Sequence, residues 1–290
     1  MEELLHQIFA GIATGGIYAS IALALVMIYQ TTNHINFAQG EMAMFSTYIA
    51  WTLIQAGVPY WIAFLATVVF SLVAGVAIQR IIIKPLERAP LLTHVLIFIG
   101  LLVIFNSVAG WVWDYTIKSF PSPFDGTFLP STRFFSSHEL GEIIVTLILL
   151  AALFGFFRFT TLGLAMRAAA LNPVSSRLVG IRVSWMLALG WGLAAAIGSV
   201  AGMLIAPVVF LDPNMMSGVL LYGLAAALLG GINNPWGAVL GGFMLGVIEN
   251  LAGAYLVGTE LKLSVALIMI VLVLLIKPSG LFGRPVLERV

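Results

Sequence analysis

Nine apolar stretches follow one another almost without pause along this chain, at residues 8–30, 40–57, 60–83, 91–112, 141–158, 185–210, 217–232, 236–257 and 261–277. Most approach or exceed the ~20 residues a helix needs to cross ~30 Å of hydrocarbon. Charged residues make up only 9% of the 290 positions, against about 25% in a soluble domain, so the chain folds in a bilayer. The expected fold is all-α, a polytopic membrane bundle of 8–9 transmembrane helices forming a single transmembrane domain over residues 1–290. The stretches at 40–57 and 217–232 are short, and either could be tilted, broken or re-entrant.

Basic residues set the expected orientation. Arg80, Lys84 and Arg88 follow the third stretch. Arg158, Arg167, Arg177 and Arg182 fall between the fifth and sixth, and Lys277, Arg284 and Arg289 close the chain. With nine crossings these ten of thirteen basic residues share one side. Only Lys118, Arg133 and Lys262 join the acids Glu2, Glu3, Asp114, Asp125, Glu139, Glu142, Asp212 and Glu260 on the other. The N-terminus is therefore expected outside and the C-terminus in the cytoplasm. Residues 1–7 hold Glu2 and Glu3 and no Lys or Arg, so the first stretch reads as a retained helix rather than a signal peptide. Residues 113–140, rich in aromatics and turn formers, form the largest external loop, either an interfacial belt or a receptor platform.

The loop between Arg158 and Arg182 carries four arginines and no Asp or Glu. Within it, residues 172–180 read as a complete short helix. Asn172 suits the N-cap and Pro173 the first helical position. Arg177 and Leu178 lie in the last turn, and Gly180, followed by Ile181, can close the end in a left-handed turn.

Polar residues inside apolar stretches are the other signal. Glu41 follows the run Asn36-Phe37-Ala38-Gln39-Gly40, and Glu249 precedes Asn250. A carboxylate in lipid costs about 2.5–3.5 kcal/mol or more, so such groups face protein or a watery cavity. Glu41 could cap a helix near the headgroups or line a path. Glu249 could pair with Lys262 or with a partner subunit. At Gly230-Gly231-Ile232-Asn233-Asn234-Pro235-Trp236-Gly237 one helix can end and another begin, either as a plain turn or as a discontinuous site. Gly241 continues a spacing of small residues with Gly237 that favours close helix crossings.

Several chemistries have no footing. There is no cysteine, and the four histidines are scattered without ligand spacing, so no metal site is expected. No phosphate-binding loop, H-E-x-x-H or G-x-S-x-G motif is present. The chain is expected to be no enzyme, and ATP, if it drives transport, must be hydrolysed by another chain.

Three segments together resemble a known family. They are Asn36–Met42, Asn172-Pro173 with Arg177–Ile181, and Leu229–Gly231 with Pro235–Gly242. In type, order and spacing they are similar to the permease subunits of branched-chain amino-acid ABC importers, of the LivH type, over nearly the whole chain. The resemblance implies a type II ABC importer-like fold in a bacterial inner membrane. It also implies a second homologous permease, two ABC ATPases carrying ATP and Mg, and a periplasmic substrate-binding protein; no nucleic acid is expected. Residues 159–184 then correspond to the cytoplasmic coupling loop. Asn33, Asn36, Glu41 and Asn106 are the expected lining of the translocation path. Related permeases handle urea, short amides or other amino acids. An ion-coupled secondary transporter using Glu41 and Glu249 is the alternative outside the family.

Overall fold

Helix α1 (Glu2–Thr32) holds the centre of the molecule because its sequence is apolar on every face. In its most apolar window 89% of residues are buried, against 22% in those of α3 and α4, which therefore lie at the periphery. The computed structural model describes residues 2–32, 34–87, 89–124 and 136–283. After α1 come α2 (Gln39–Gln55), α3 (Tyr60–Ile78), α4 (Leu91–Trp113) and α5 (Ser137–Phe159). The short pair α6 (Thr161–Leu171) and α7 (Pro173–Leu178) follows, then α8 (Val183–Val209), α9 (Met216–Gly230), α10 (Pro235–Ala252) and α11 (Lys262–Ile276). No strand occurs among the described residues, which hold one isolated backbone bridge, between Lys118 and Leu211. Six of the helices are long and apolar enough to cross a membrane, so this is a multi-pass membrane protein.

Helix starts follow local chemistry. Pro59 and Pro90 precede α3 and α4, and Pro235 occupies the first turn of α10, where its missing N–H leaves no bond unmade. At α5, Ser136 and Glu139 form a capping box: the Glu139 N–H donates to Ser136 Oγ at 3.2 Å and the Ser136 N–H to Glu139 Oε2 at 2.8 Å.

Packing fixes the helix directions. Antiparallel α10 makes the most extensive contact with α1. Gly11 faces Val247, Gly15 faces Phe243, and Gly242 lies against Ala19. A Cβ on Gly242 or Gly246 would land on the backbone of α1, so the two helices touch main chain to main chain. Gly198 and Gly202 of α8 make room for α2, Gly198 for the Gln39 and Ala43 side chains and Gly202 for Thr47 and the Ala43 backbone. Helices α3 and α8 cross in opposite directions with Gly75 beside Trp191 and Ala195. One end of the bundle gathers Lys84, Arg158, Arg167, Arg182 and Lys277 with the last turn of α1; we refer to it as the basic end.

The described part of the 113–140 segment is fastened to the opposite end. Lys118 and Leu211 exchange two backbone hydrogen bonds of 2.9 Å, Trp51 Nε1 donates to the Ser119 carbonyl at 3.2 Å, and Phe120 is buried.

The sequence leaves the short 40–57 stretch open to being tilted, broken or re-entrant, with Glu41 either a cap near the headgroups or part of a path. In the fold Asn36, Ala38 and Gln39 are wholly buried, and α2 begins near the midpoint of α8. Residues 34–38 climb from the basic end to mid-height without helix, and α2 occupies only the far half of the bundle.

Candidate functional site

The break between α1 and α2 is built by the side chains that look most out of place in lipid. Asn36 Oδ1 accepts from the Ala38 N–H at 3.0 Å, its carbonyl accepts from the Gln39 N–H at 3.2 Å, and its Nδ2 lies 3.8 Å from Met42 Sδ. This local turn satisfies backbone groups that would otherwise be orphaned at membrane depth. Gln39 ties the start of α2 to α8, donating from Nε2 to the Ala194 carbonyl at 3.0 Å across 155 residues of sequence. Glu41, in the first turn of α2, is 4% exposed, so it is both a helix-start acid and a buried one. Its Oε2 has no partner among the described residues, and the Asn106 amide approaches its carboxyl from α4. Asn106 Nδ2 also donates to the Pro213 carbonyl at 2.8 Å and to Asn214 Oδ1 at 3.1 Å. The structure thus brings Asn36, Glu41 and Asn106 together at the head of α2, with Phe37 half-exposed beside them. Asn33 lies outside the described residues.

At the basic end, α6 starts on a cap: Thr160 Oγ1 accepts from the Gly163 N–H at 3.0 Å. Its Gly163, Met166 and Ala169 are buried against α5 and α8. Asn172 Oδ1 caps α7 by accepting from the Ser175 N–H at 3.0 Å, and Pro173 takes the first position. At the other end the Gly180 N–H bonds the Arg177 carbonyl at 3.1 Å and the Ile181 N–H bonds that of Ser176 at 3.0 Å. That pair is a Schellman motif, and Gly180 has the φ of +85° that it requires. Only Ser176 of α7 is buried. Leu171 (82% exposed), Val174 (69%) and Leu178 (84%) stand free, flanked by the exposed Arg177 and Arg182.

Asn172→Ala removes the cap while leaving the rest of α7 in place. The expected cost is about 1 kcal/mol, read as a roughly fivefold faster amide exchange at Ser175.

A family model described as the branched-chain amino acid transport system, permease component, matches residues 7–274. The chain belongs to this permease family. It is 32% identical over 303 residues to the high-affinity branched-chain amino acid transport system permease protein LivH of Escherichia coli K12, covering 99% of this chain and 97% of that protein. BraD of Pseudomonas aeruginosa, a permease protein of a system with the same description, is 31% identical over 316 residues and covered end to end, 100% of each chain. The probable branched-chain amino acid transport permease protein LivH of Methanocaldococcus jannaschii is 28% identical over 277 residues, 91% of this chain and 87% of that one. A looser likeness is to a solved chain of PsaBC from Streptococcus pneumoniae in complex with Fab, at TM-score 0.49 and 15% identity, covering 95% of this chain and 91% of that one.

Two further features of the permease gain their partners in three dimensions. The stacked rings of Tyr18 and Tyr222, centroids 4.7 Å apart, turn their hydroxyls toward the buried Glu249, and Lys262 lies nearby. Lys262 Nζ donates to Asn250 Oδ1 at 3.0 Å, and Asn250 Nδ2 donates to Thr14 Oγ1 at 3.0 Å, so one polar cluster ties α1, α9, α10 and α11. Tyrosines within two apolar helices were the available signal. The second feature is the turn between α9 and α10. Gly231 leaves α9 at φ +112°, and Gly230 meets Gly237 while Gly241 meets Ala226, so the two helices approach backbone to backbone. The segment after α11 folds over this turn: the Leu281 and Phe282 N–H groups bond the carbonyls of Leu229 at 2.8 Å and Gly230 at 3.0 Å. Asn234 Nδ2 adds a bond to the Phe282 carbonyl at 3.0 Å. The carbonyls that end α9 are thus satisfied by a distant strap rather than by water.

Proposed function

We propose that this chain is a transmembrane subunit of an ATP-driven importer of branched-chain or related hydrophobic amino acids in a bacterial inner membrane. It crosses nine times, through α1, the 34–38 segment together with α2, α3 to α5 and α8 to α11, with the N-terminus outside and the basic end in the cytoplasm. A second homologous permease packs beside it. Two ABC ATPases bearing ATP and Mg dock on the basic end, and a periplasmic binding protein delivers substrate at the other.

The observation that carries this reading is α7. A six-residue helix, capped at both ends, presents Val174 and Leu178 to solvent at the basic end, beside the exposed Leu171 that ends α6. The platform beneath it is α6, packed on α5 and α8, so a push on α7 reaches the bundle through rigid helices. ATPase closure then rocks the bundle around a path at the α1–α2 break, at the head of α2 with Asn36, Glu41 and Asn106. Irregular backbone at membrane depth is tolerated where it is buried in protein or lines a cavity, and the start of α2 is such a place.

Reconstitution tests it. The complete set of subunits in proteoliposomes should import leucine only with ATP inside and binding protein outside. Ion-driven uptake by this chain alone, or no uptake by the full set, would sink the reading. Within that assay, Glu41→Gln keeps shape and removes the charge. Maximal uptake should fall about tenfold, the worth of one charge-assisted contact, while ATPase association is unchanged.

A further inference from the structure

An open groove of about 360 Å³ runs along the start of α8 at the basic end, lined by Ala165 of α6 and by Ile181, Arg182, Trp185, Met186 and Leu189. It begins beside the closing turn of α7 and follows α8 away from it. None of the six residues is buried: Arg182 and Trp185 are exposed and the other four half-buried. Arg182, Trp185, Met186 and Leu189 are spaced three, four and seven residues from the first, so they form one stripe on α8. Polarity is ordered along that stripe. The arginine stands at the mouth, the indole one turn in, and Leu189 about 10 Å beyond Arg182 along the axis. A phospholipid has the same order, with a charged phosphate, an interfacial zone that indole rings favour, and then an acyl chain.

Charge sets the sign of the headgroup. Arg80, in the π-helical turn that follows α3, lies on the Trp185 ring with its guanidinium carbon 3.4 Å from the centroid. A second cation is therefore held beside the first turn of α8. Neither Arg80 nor Arg182 is in an ion pair among the described residues. No Asp or Glu occurs between Glu41 and Glu87 or between Glu142 and Asp212, so α3, α6 and α8 bring no acid to the groove. Basic grooves between membrane helices on the cytoplasmic side attract anionic lipid headgroups.

We infer that this groove binds one anionic phospholipid. Its phosphate meets Arg182 and Arg80, and an acyl chain lies along Trp185, Met186 and Leu189 with Ala165 as the facing wall. The cytoplasmic leaflet as its source rests on the orientation given for the importer. The bound lipid joins α6 to α8, the two helices on which α7 stands, so it stiffens the platform beneath that helix.

The test is equilibrium binding of radiolabelled phosphatidylglycerol to the purified permease–ATPase complex in detergent, with phosphatidylcholine and glycerol 3-phosphate as competitors. Phosphatidylglycerol should bind saturably and at least about tenfold more tightly than phosphatidylcholine, and glycerol 3-phosphate should not displace it. Arg80→Gln and Arg182→Gln should each weaken binding about fivefold, and the two together about thirtyfold. Ala165→Trp keeps both charges and fills the groove, and it should weaken binding at least about tenfold. The wild-type comparison of the three ligands decides even where a variant fails to fold. The inference is overturned if phosphatidylcholine binds equally well, if glycerol 3-phosphate displaces the lipid, or if the folded variants keep wild-type affinity. It is overturned equally if the complex binds no lipid because the ATPases cover the groove. Leucine uptake by the same complex in proteoliposomes separates the two readings. Intact uptake without selective lipid binding removes this inference alone, and selective lipid binding without ATP-driven uptake removes the importer.

Discussion

Val174→Asp combined with Leu178→Asp is expected to lower ATP-driven leucine uptake by the assembled importer about 100-fold. Both side chains are apolar and free, at 69% and 84% exposure, so the permease loses no internal contact when they become charged. Helix α7 keeps its Asn172 cap and its Gly180 turn, because neither bond involves the substituted side chains. The cost falls on the docked state alone. Burying two carboxylates in an apolar groove without partners costs about 3 kcal/mol at the low end, which is the hundredfold loss. The melting temperature of the isolated permease in detergent should not move. A parallel drop in melting temperature would mean that the two residues hold the bundle together rather than a partner.

The largest effect on stability belongs to the crossing of α1 and α10. Gly242→Leu is expected to destabilise the bundle by about 3 kcal/mol or more, because a side chain there must displace the backbone of α1 at Ala19. In detergent the variant should unfold at a lower temperature and lose its monodisperse elution profile. Gly100→Leu in α4 and Gly155→Leu in α5 are the controls. A Cβ at either position meets nothing within 4 Å, and the expected change is within about 0.5 kcal/mol. Equal damage at all three positions would show that leucine harms any helix of this bundle and that the crossing is not special.

The residues behind these predictions were unequally legible in the sequence. The caps of α7 are local: a side-chain acceptor three residues ahead of the amide it serves, and a glycine at the one position that needs positive φ. Both can be seen in the order Asn172-Pro173 to Gly180. Helix existence was legible for a similar reason, since apolar length alone sets it. Depth was not. A run as polar as Asn36-Phe37-Ala38-Gln39-Gly40-Glu41 reads as a surface turn, because its hydrogen-bond partners are invisible along the chain. In the fold Asn36 bonds its own turn, Gln39 reaches Ala194, and Asn106 approaches Glu41 from another helix. The same distance hid the cluster of Tyr18, Tyr222 and Glu249, drawn from α1, α9 and α10, and the strap from Leu281 and Phe282 to the end of α9. Glu249 was expected to pair with Lys262 or with a partner subunit; in the fold the tyrosine hydroxyls meet it, while Lys262 lies nearby and bonds Asn250 instead.

The family resemblance implies that force enters the permease through residues 159–184, and the family match does not by itself test that. Site-specific photocrosslinking settles that most directly. A photoreactive amino acid at position 174, in a membrane containing the full set of co-expressed subunits, should attach the permease to an ABC ATPase, and the same probe at position 100 of α4 should not. Crosslinks from position 174 to lipid alone, or none to any ATPase while uptake remains intact, would contradict α7 as the point of coupling.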